Sequence, residues 1–184
     1  MRHHIELTAV LRRTACELYS NLVTRPTGEA VRREIEHVLT TIEPPCLMVI
    51  DFSQVGLLDF SCADEVIGKL LDGMRRWPAD REAYIIVRGA RNDHLEAIES
   101  AIARYQLALI VEEADGSIDL VGQLDDPLKR TWEAVERKGR AVAADLTDEL
   151  DEPLDRLVGF LDGLWERRLV MRDDAGYVSL QSAS

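Results

Sequence analysis

Hydrophobic residues in the first two thirds of the chain alternate between helical stripes and short continuous apolar runs. The segment 27–39, TGEAVRREIEHVL, places four apolar side chains on one side of a helix: Val31, Ile35, Val38 and Leu39. Three apolar runs follow, each of strand length and typical of strands covered on both faces: Cys46–Ile50, Ala83–Val87 and Leu107–Val111. Because helical spacing fills the intervals between them, the pattern predicts an α/β layer whose sheet is at least partly parallel.

The pattern changes after the Asp115–Gly116 turn, and we place a domain boundary near Gly122. The predicted domains are therefore residues 1–118 and 122–184. From Pro127 onward, three helical stripes precede a hairpin whose turn spans Asp173–Gly176. That order of elements is typical of a winged-helix domain. Residues 1–23 fit paired strands as well as a helix.

Charge and cysteine usage narrow the class of protein. The 184 residues carry a formal net charge of -12, which argues against general affinity for nucleic acid or anionic membranes. No apolar run approaches the roughly 20 residues of a membrane span, and the start lacks the apolar core of a signal peptide. The three cysteines, Cys16, Cys46 and Cys62, lie scattered in apolar stretches. We therefore expect reduced, buried thiols in a cytoplasmic protein.

The segment 49–65, VIDFSQVGLLDFSCADE, has the richest pattern of polar residues. Asp51 ends an apolar strand, and Asp59 comes two residues before Ser61, where a helix is expected to open. Ser61 followed by Asp64 fits a capping box, in which the hydroxyl accepts a backbone N–H three residues on. A phosphoacceptor role for Ser61 is the alternative, and a helix N-terminus also suits phosphate. We favour the cap, because capping is the commonest reason for serine at a helix start.

Catalytic and metal-binding patterns are weak. Asp64 and Glu65 are adjacent on the expected helix, so their side chains point about 100° apart and cannot easily share one ion. The histidines lack metal-ligand spacing, and no glycine-rich phosphate loop or nucleophile motif occurs. The sequence thus predicts no enzyme, no cofactor, no metal site and no catalytic residue.

The same segment resembles the STAS domain, known from sulfate transporters and anti-sigma-factor antagonists. In the antagonists a strand leads to a D-S-S-G turn that opens a helix; Asp59 corresponds to its Asp and Ser61 to its phosphorylated Ser. Phe60 replaces the first Ser, and Cys62 replaces the Gly.

The segment is more closely similar to an uncharacterised STAS-like family with the pattern D-F-x-x-V…S-F-A-D-E. The matching residues are Asp51, Phe52, Val55, Ala63, Asp64 and Glu65. Together with the upstream segment 24–36, the resemblance covers roughly residues 20–112 and implies a mixed sheet with helices.

The resemblance implies a non-enzymatic regulatory adaptor that acts through protein–protein interaction. It makes Ser61 a candidate phosphorylation site and assigns partner binding to Asp59, Phe60, Ser61 and Asp64. The implied partner is a histidine-kinase-like ATPase or a sigma-factor regulator.

The C-terminal domain lacks the positive charge that is typical of a DNA-binding domain. Its expected recognition helix begins with the acidic segment Asp151–Arg156. The chain from Val121 onward has a formal net charge of -5. We expect Arg167, Arg168 and Arg172 to cap the last helix and solvate the hairpin. The domain is therefore predicted to contact protein or to form a homodimer. The alternatives are a transcription regulator that binds DNA through this domain, and a small-ligand or nucleotide sensor using Asp51 and Phe52.

Overall fold

The structure is a computed structural model that describes residues 2–6, 21–78 and 80–183. The described part divides into two compact units, Arg2–Gln123 and Leu124–Ser184. The last strand of the first unit, Ile118–Gly122, pairs with its neighbour in the same sheet. The first unit therefore extends beyond residue 118, the predicted end of the first domain.

The first unit is built on a five-stranded sheet. Its strands are β1 (Arg2–Glu6), β3 (Cys46–Asp51), β5 (Ala83–Arg88), β6 (Ala108–Glu112) and β7 (Ile118–Gly122), which lie in that spatial order. The first four are parallel and β7 is antiparallel to β6. The prediction of an α/β fold with a partly parallel sheet is confirmed.

Helices follow the strands as the apolar spacing predicts. Helix α1 spans Arg25–Thr41 and buries Val31, Ile35 and Leu39. The next helix runs as α2 (Phe60–Ala63), a π-helical segment (Asp64–Gly68) and α3 (Lys69–Met74), and helix α4 spans Asn92–Ala103. These helices pack with one face of the sheet into a single apolar core.

A second, very small sheet positions the polar motif. Strand β2 (Asn21–Leu22) pairs in parallel with β4 (Leu57–Leu58). Each strand leads directly into a helix, so the N-terminal ends of α1 and α2 begin from neighbouring positions of one strand pair.

The second unit contains helices and a three-stranded antiparallel sheet. Its helices are α5 (Asp126–Lys138), a 3₁₀ turn (Ala143–Leu146), α6 (Thr147–Leu150) and α7 (Leu154–Glu166). Its strands are β8 (Arg140–Ala141), β9 (Val170–Asp173) and β10 (Gly176–Ser179), and β10 lies in the middle. The predicted helices and hairpin are therefore present. The sequence reading missed the short strand β8.

The structure bears on two further expectations, the state of the cysteines and the lack of a membrane span. Cys46 and Cys62 are free and buried, as predicted. Cys16 and most of the region 1–23, for which the sequence fits strands as well as a helix, lie outside the described residues. Within the described ranges no helix is both long and apolar enough to cross a membrane.

Candidate functional site

The loop between β3 and α2 is held at both ends by short polar contacts. At its start, Asp51 accepts hydrogen bonds from Arg88 Nη2 at 2.7 Å and from the backbone N–H of Ser53 at 2.8 Å. At its end, the Asp59 N–H donates to the Leu22 carbonyl at 3.0 Å. Hydrogen bonds therefore fix the segment between Asp51 and Asp59 at both of its ends.

Asp59, and not Ser61, caps helix α2. The helix begins at Phe60, and Asp59 Oδ1 accepts the backbone N–H of Cys62 at 2.8 Å. Ser61 lies in the first turn, and its hydroxyl donates to the two Asp59 carboxylate oxygens at 2.9 and 3.0 Å. The prediction that Ser61 is the cap is wrong, because aspartate caps equally well and stands three residues before the exposed N–H. Ser61 orients the cap instead.

Three apolar side chains beside this cap are exposed to solvent. Leu57 is 52% and Phe60 41% exposed, and Val23 is exposed as well. Leu57 lies in β4, where it pairs with Asn21, and Val23 directly follows β2, so both residues belong to the region of the small strand pair. Phe60 follows directly at the helix start. We call Val23, Leu57 and Phe60 the Phe60 patch.

The guanidinium of Arg104 lies over the Phe60 ring, 5.8 Å from its centroid. Cation–π contact of this kind restricts the ring while leaving its other side open. The Phe60 patch is thus held by its neighbours even though solvent reaches it.

Two buried carboxylates lie behind the patch in the π-helical segment. Arg25 Nη1 donates to Asp64 Oδ2 at 3.1 Å and to Glu65 Oε1 at 2.7 Å. The expected angle of about 100° between the two side chains assumed an α-helix, but Asp64 and Glu65 lie in a π-helical segment, whose turn holds more residues and therefore separates neighbouring side chains by a smaller angle. One guanidinium nitrogen therefore binds both carboxylates.

Further cations and a tyrosine surround the pair. Asp64 Oδ1 accepts from the Tyr105 hydroxyl at 3.0 Å and from Arg104 Nη1 at 3.3 Å. Glu65 accepts from Lys69, and its Oε2 lies 3.5 Å from Arg32 Nε. The sequence contains no basic residue inside the motif itself, so these partners were missed. Of these partners, only Lys69 could have been predicted from the sequence, because it lies four positions after Glu65, the spacing of an ion pair along a helix.

Burial of Asp64 overturns one predicted role. The sequence predicts partner binding by Asp64, but this residue is 1% exposed, and its oxygens bind Arg25 of α1 and Tyr105, which follows α4. It cannot meet a partner directly. Its carboxylate instead anchors Arg25 and Arg104, whose side chains are each about half exposed at the surface.

The carboxylate of Glu65 is held in its ionised form. Burial alone would raise the pKa of Glu65, but the hydrogen bonds from Lys69 and Arg25 outweigh this, and the pKa is lowered. The Tyr105 hydroxyl has a raised pKa because of burial and because it donates to Asp64. These groups form a structural ion network in which Glu65 carries no proton to transfer at neutral pH.

Close contact of α1 with α2 and the π-helical segment explains the glycine at position 28. A Cβ at Gly28 would lie 2.9 Å from Glu65 Cβ and 3.1 Å from Cys62 Cα, so only glycine allows this approach. The Cys62 thiol donates to the Thr24 carbonyl at 2.9 Å. Burial, with the nearby Asp59 charge, raises the pKa of Cys62 to about 12, so the thiol is not an activated nucleophile.

The alternative ligand site has little accessible surface. Asp51 and Phe52 are both buried, and the Phe52 ring packs against the buried His94 ring at 6.1 Å between centroids. Burial lowers the pKa of His94, with a further lowering from the Arg91 charge, so the imidazole is neutral. No group of three potential metal ligands occurs among the described residues.

The arginines near the hairpin of the second unit are engaged locally. Arg167 donates to the Gly163 carbonyl at 2.9 Å, as expected for a residue capping the last helix. Arg172 donates to Asp162 at 3.1 Å and stacks 3.9 Å from the centroid of the Trp165 ring. Arg168 lies over the same ring at 5.9 Å.

Comparison with known proteins adds no relative. No family model matches the chain, and no curated protein matches its sequence. The STAS-like resemblance of the segment 49–65 therefore stays a prediction that depends on the residues quoted for it.

Proposed function

We propose that the protein is a non-enzymatic regulatory adaptor that binds a protein partner through the Phe60 patch. One observation carries this proposal: Leu57 in β4 and Phe60 at the start of α2 are large, exposed apolar side chains, and hydrogen bonds at Asp59 fix the segment between them. Preorganised aromatic and aliphatic side chains are typical centres of protein interfaces, because little conformational entropy is lost on binding.

The ion network supports a binding role over a catalytic one. Asp64 and Glu65 are bound by cations that fix α1 against the start of the next helix, and the Cys62 thiol is protonated. A rigid base under an exposed patch preserves the shape that a partner recognises.

The proposal includes a STAS-like architecture for the first unit and a winged-helix-like architecture for the second. The alternation of parallel strands and helices supports the first, and the order helix, strand, helices, hairpin supports the second. By this resemblance the partner is a histidine-kinase-like ATPase or a sigma-factor regulator, bound by Asp59, Phe60 and Ser61.

Ser61 is the proposed regulatory position. Phosphorylation would remove the hydrogen bonds that its hydroxyl donates to Asp59 and place negative charge beside that carboxylate. Because Asp59 caps α2, the repulsion would disturb the cap and the neighbouring Phe60 together. A phosphate on Ser61 is thus expected to release the partner.

Substitution of the patch tests the proposal. Leu57→Asp places a charge where a partner would desolvate it and should abolish partner capture, while the exposed position keeps thermal unfolding close to wild type. The measurement is affinity capture from native lysate with identification by mass spectrometry. Val142→Asp is the matched control, because Val142 is 40% exposed and belongs to the second unit.

The expected result is a kinase-like ATPase or sigma-factor regulator captured by wild type and Val142→Asp and lost from Leu57→Asp. Identical capture by the two variants would refute the Phe60 patch as the partner site.

A further inference from the structure

Helix α7 of the second unit exposes an apolar stripe. Leu154 is 52% and Val158 43% exposed, and they stand four residues apart, so they lie on the same side of the helix one turn from each other. The buried side of α7 is formed by other residues, Leu157, Leu161 and Leu164, which already supply its packing. Leu154 and Val158 are therefore not needed to hold the helix in place. We call them the α7 stripe.

Acidic side chains follow the outer flank of the stripe. With about 100° between successive residues, Asp155 and Glu166 project to the solvent side of Leu154 and Val158. Asp162 lies on the same side of the helix, but its carboxylate is bound by Arg172 and Tyr177 of the hairpin. Asp155 and Glu166 are exposed. A molecule that covers the stripe would therefore meet negative charge along one edge.

Cations near α7 are occupied by the unit's own groups. Arg156 pairs with Glu152 at 2.9 Å, and Arg172 pairs with Asp162 at 3.1 Å. The chain from Val121 onward also has a net charge of -5. A second copy would bring like charges together, and a DNA backbone would meet the same repulsion.

We propose that the α7 stripe binds a basic amphipathic helix of another protein. Such a helix offers apolar side chains at four-residue spacing to Leu154 and Val158 and Lys or Arg to Asp155 and Glu166. This surface lies on a different unit from the Phe60 patch, so either site can fail without the other. It gives the adaptor a second contact of defined chemistry.

A designed peptide is the probe. It contains only Leu and Lys, with Leu at helical spacing on one face, and its binding to the full chain is measured by fluorescence anisotropy. A peptide of the same pattern with Glu in place of Lys is the charge control. We expect the Leu/Lys peptide to bind and the Leu/Glu peptide to fail, because the stripe has an acidic flank.

Two protein variants separate the stripe from general attraction to an acidic protein. Val158→Lys should weaken binding about tenfold, because it repels the peptide's lysines and removes apolar contact. Val142→Lys carries the same net charge change at an exposed valine of the same unit, and should remain close to wild type. Leu154→Ala, a smaller change, should also weaken binding and guards against misfolding of Val158→Lys.

Three outcomes would overturn the proposal. Equal weakening by Val158→Lys and Val142→Lys would show nonspecific charge attraction. Binding of the Leu/Glu peptide with similar affinity would show that charge does not select the occupant. A wild-type dimer in sedimentation that Val158→Lys converts to monomer would show that a second copy covers the stripe.

Discussion

At the scale of single residues, the start of α2 depends on a division of roles between Asp59 and Ser61. The carboxylate accepts the Cys62 N–H, while the hydroxyl donates to the carboxylate and holds it in place. The side chain that satisfies the helix end is therefore distinct from the side chain that a kinase could modify. This arrangement makes the cap sensitive to any charge added at Ser61.

The different roles of Asp59 and Ser61 predict that alanine substitutions at these two positions change the free energy of unfolding by unequal amounts. Asp59→Ala removes the cap and should lower the free energy of unfolding by about 1 kcal/mol, whereas Ser61→Ala leaves the Cys62 N–H bonded and should cost less. Ser61→Asp should destabilise more than Ser61→Ala, because it sets two carboxylates side by side. Urea unfolding of the three variants measures the order. A larger loss for Ser61→Ala than for Asp59→Ala would contradict the assignment of the cap.

At the scale of elements, α1 and the π-helical segment are joined by close packing and by ion pairs. Gly28 permits the approach, and Arg25 and Arg32 extend from α1 toward Glu65. Lys69 adds a contact from the following helical turn. The junction therefore depends on the ionised carboxylate of Glu65.

This dependence predicts a pH-sensitive stability. Burial opposes ionisation, but hydrogen bonds from Lys69 and Arg25 bring the pKa of Glu65 below its ordinary value of 4.5. Ionised Glu65 stabilises the fold fully above that ordinary value, and the contribution is lost as pH falls through the lower, folded-state pKa.

Glu65→Gln should therefore reduce the free energy of unfolding by about 2 kcal/mol at pH 7. The difference from wild type should shrink as pH falls below 4.5. Urea titrations across this range measure it, with Glu99→Gln on the exposed side of α4 as control. A difference that stays constant down to low pH would show that the charge of Glu65 does not stabilise the junction.

At the scale of the whole molecule, the chain forms two compact units with separate cores. The first core lies between the sheet and the helices α1 to α4. In the second, α5 buries Leu128, Trp132 and Val135, and α7 buries Leu157, Leu161 and Leu164. Each unit contains the apolar residues that a small domain needs.

Separate cores predict separate folding. Residues 1–123 and 124–184, produced individually, should each give a cooperative thermal transition by circular dichroism. Ending the first piece at residue 118 instead should destabilise it, because that end removes most of β7 from its pairing with β6. A piece 124–184 without a cooperative transition would mean that the second unit needs the first in order to fold.

Much of the fold could be predicted because the relevant signals are local. The runs Cys46–Ile50 and Ala83–Val87 are apolar throughout, and in the structure both strands are buried over those residues. Strand β7 was missed because its sequence, IDLVG, places Asp119 in a short segment after a turn. As an antiparallel strand at the sheet edge, it keeps exposed residues that a central strand could not.

For the candidate site, too, local features could be predicted from the sequence, whereas contacts between distant segments could not. The sequence by itself determined that Asp59, Phe60 and Ser61 meet at a helix start, because neighbours in the chain share a turn. Only the tertiary structure decided that Asp64 faces inward and that Asp59 is the cap. Arg25 lies 39 positions and Arg104 40 positions from Asp64, and the chain has 22 Lys and Arg that could have been its partners. Which of them reach the carboxylate depends on the approach of α1 at Gly28 and on the π-helical turn, and both arise from packing between elements distant in sequence.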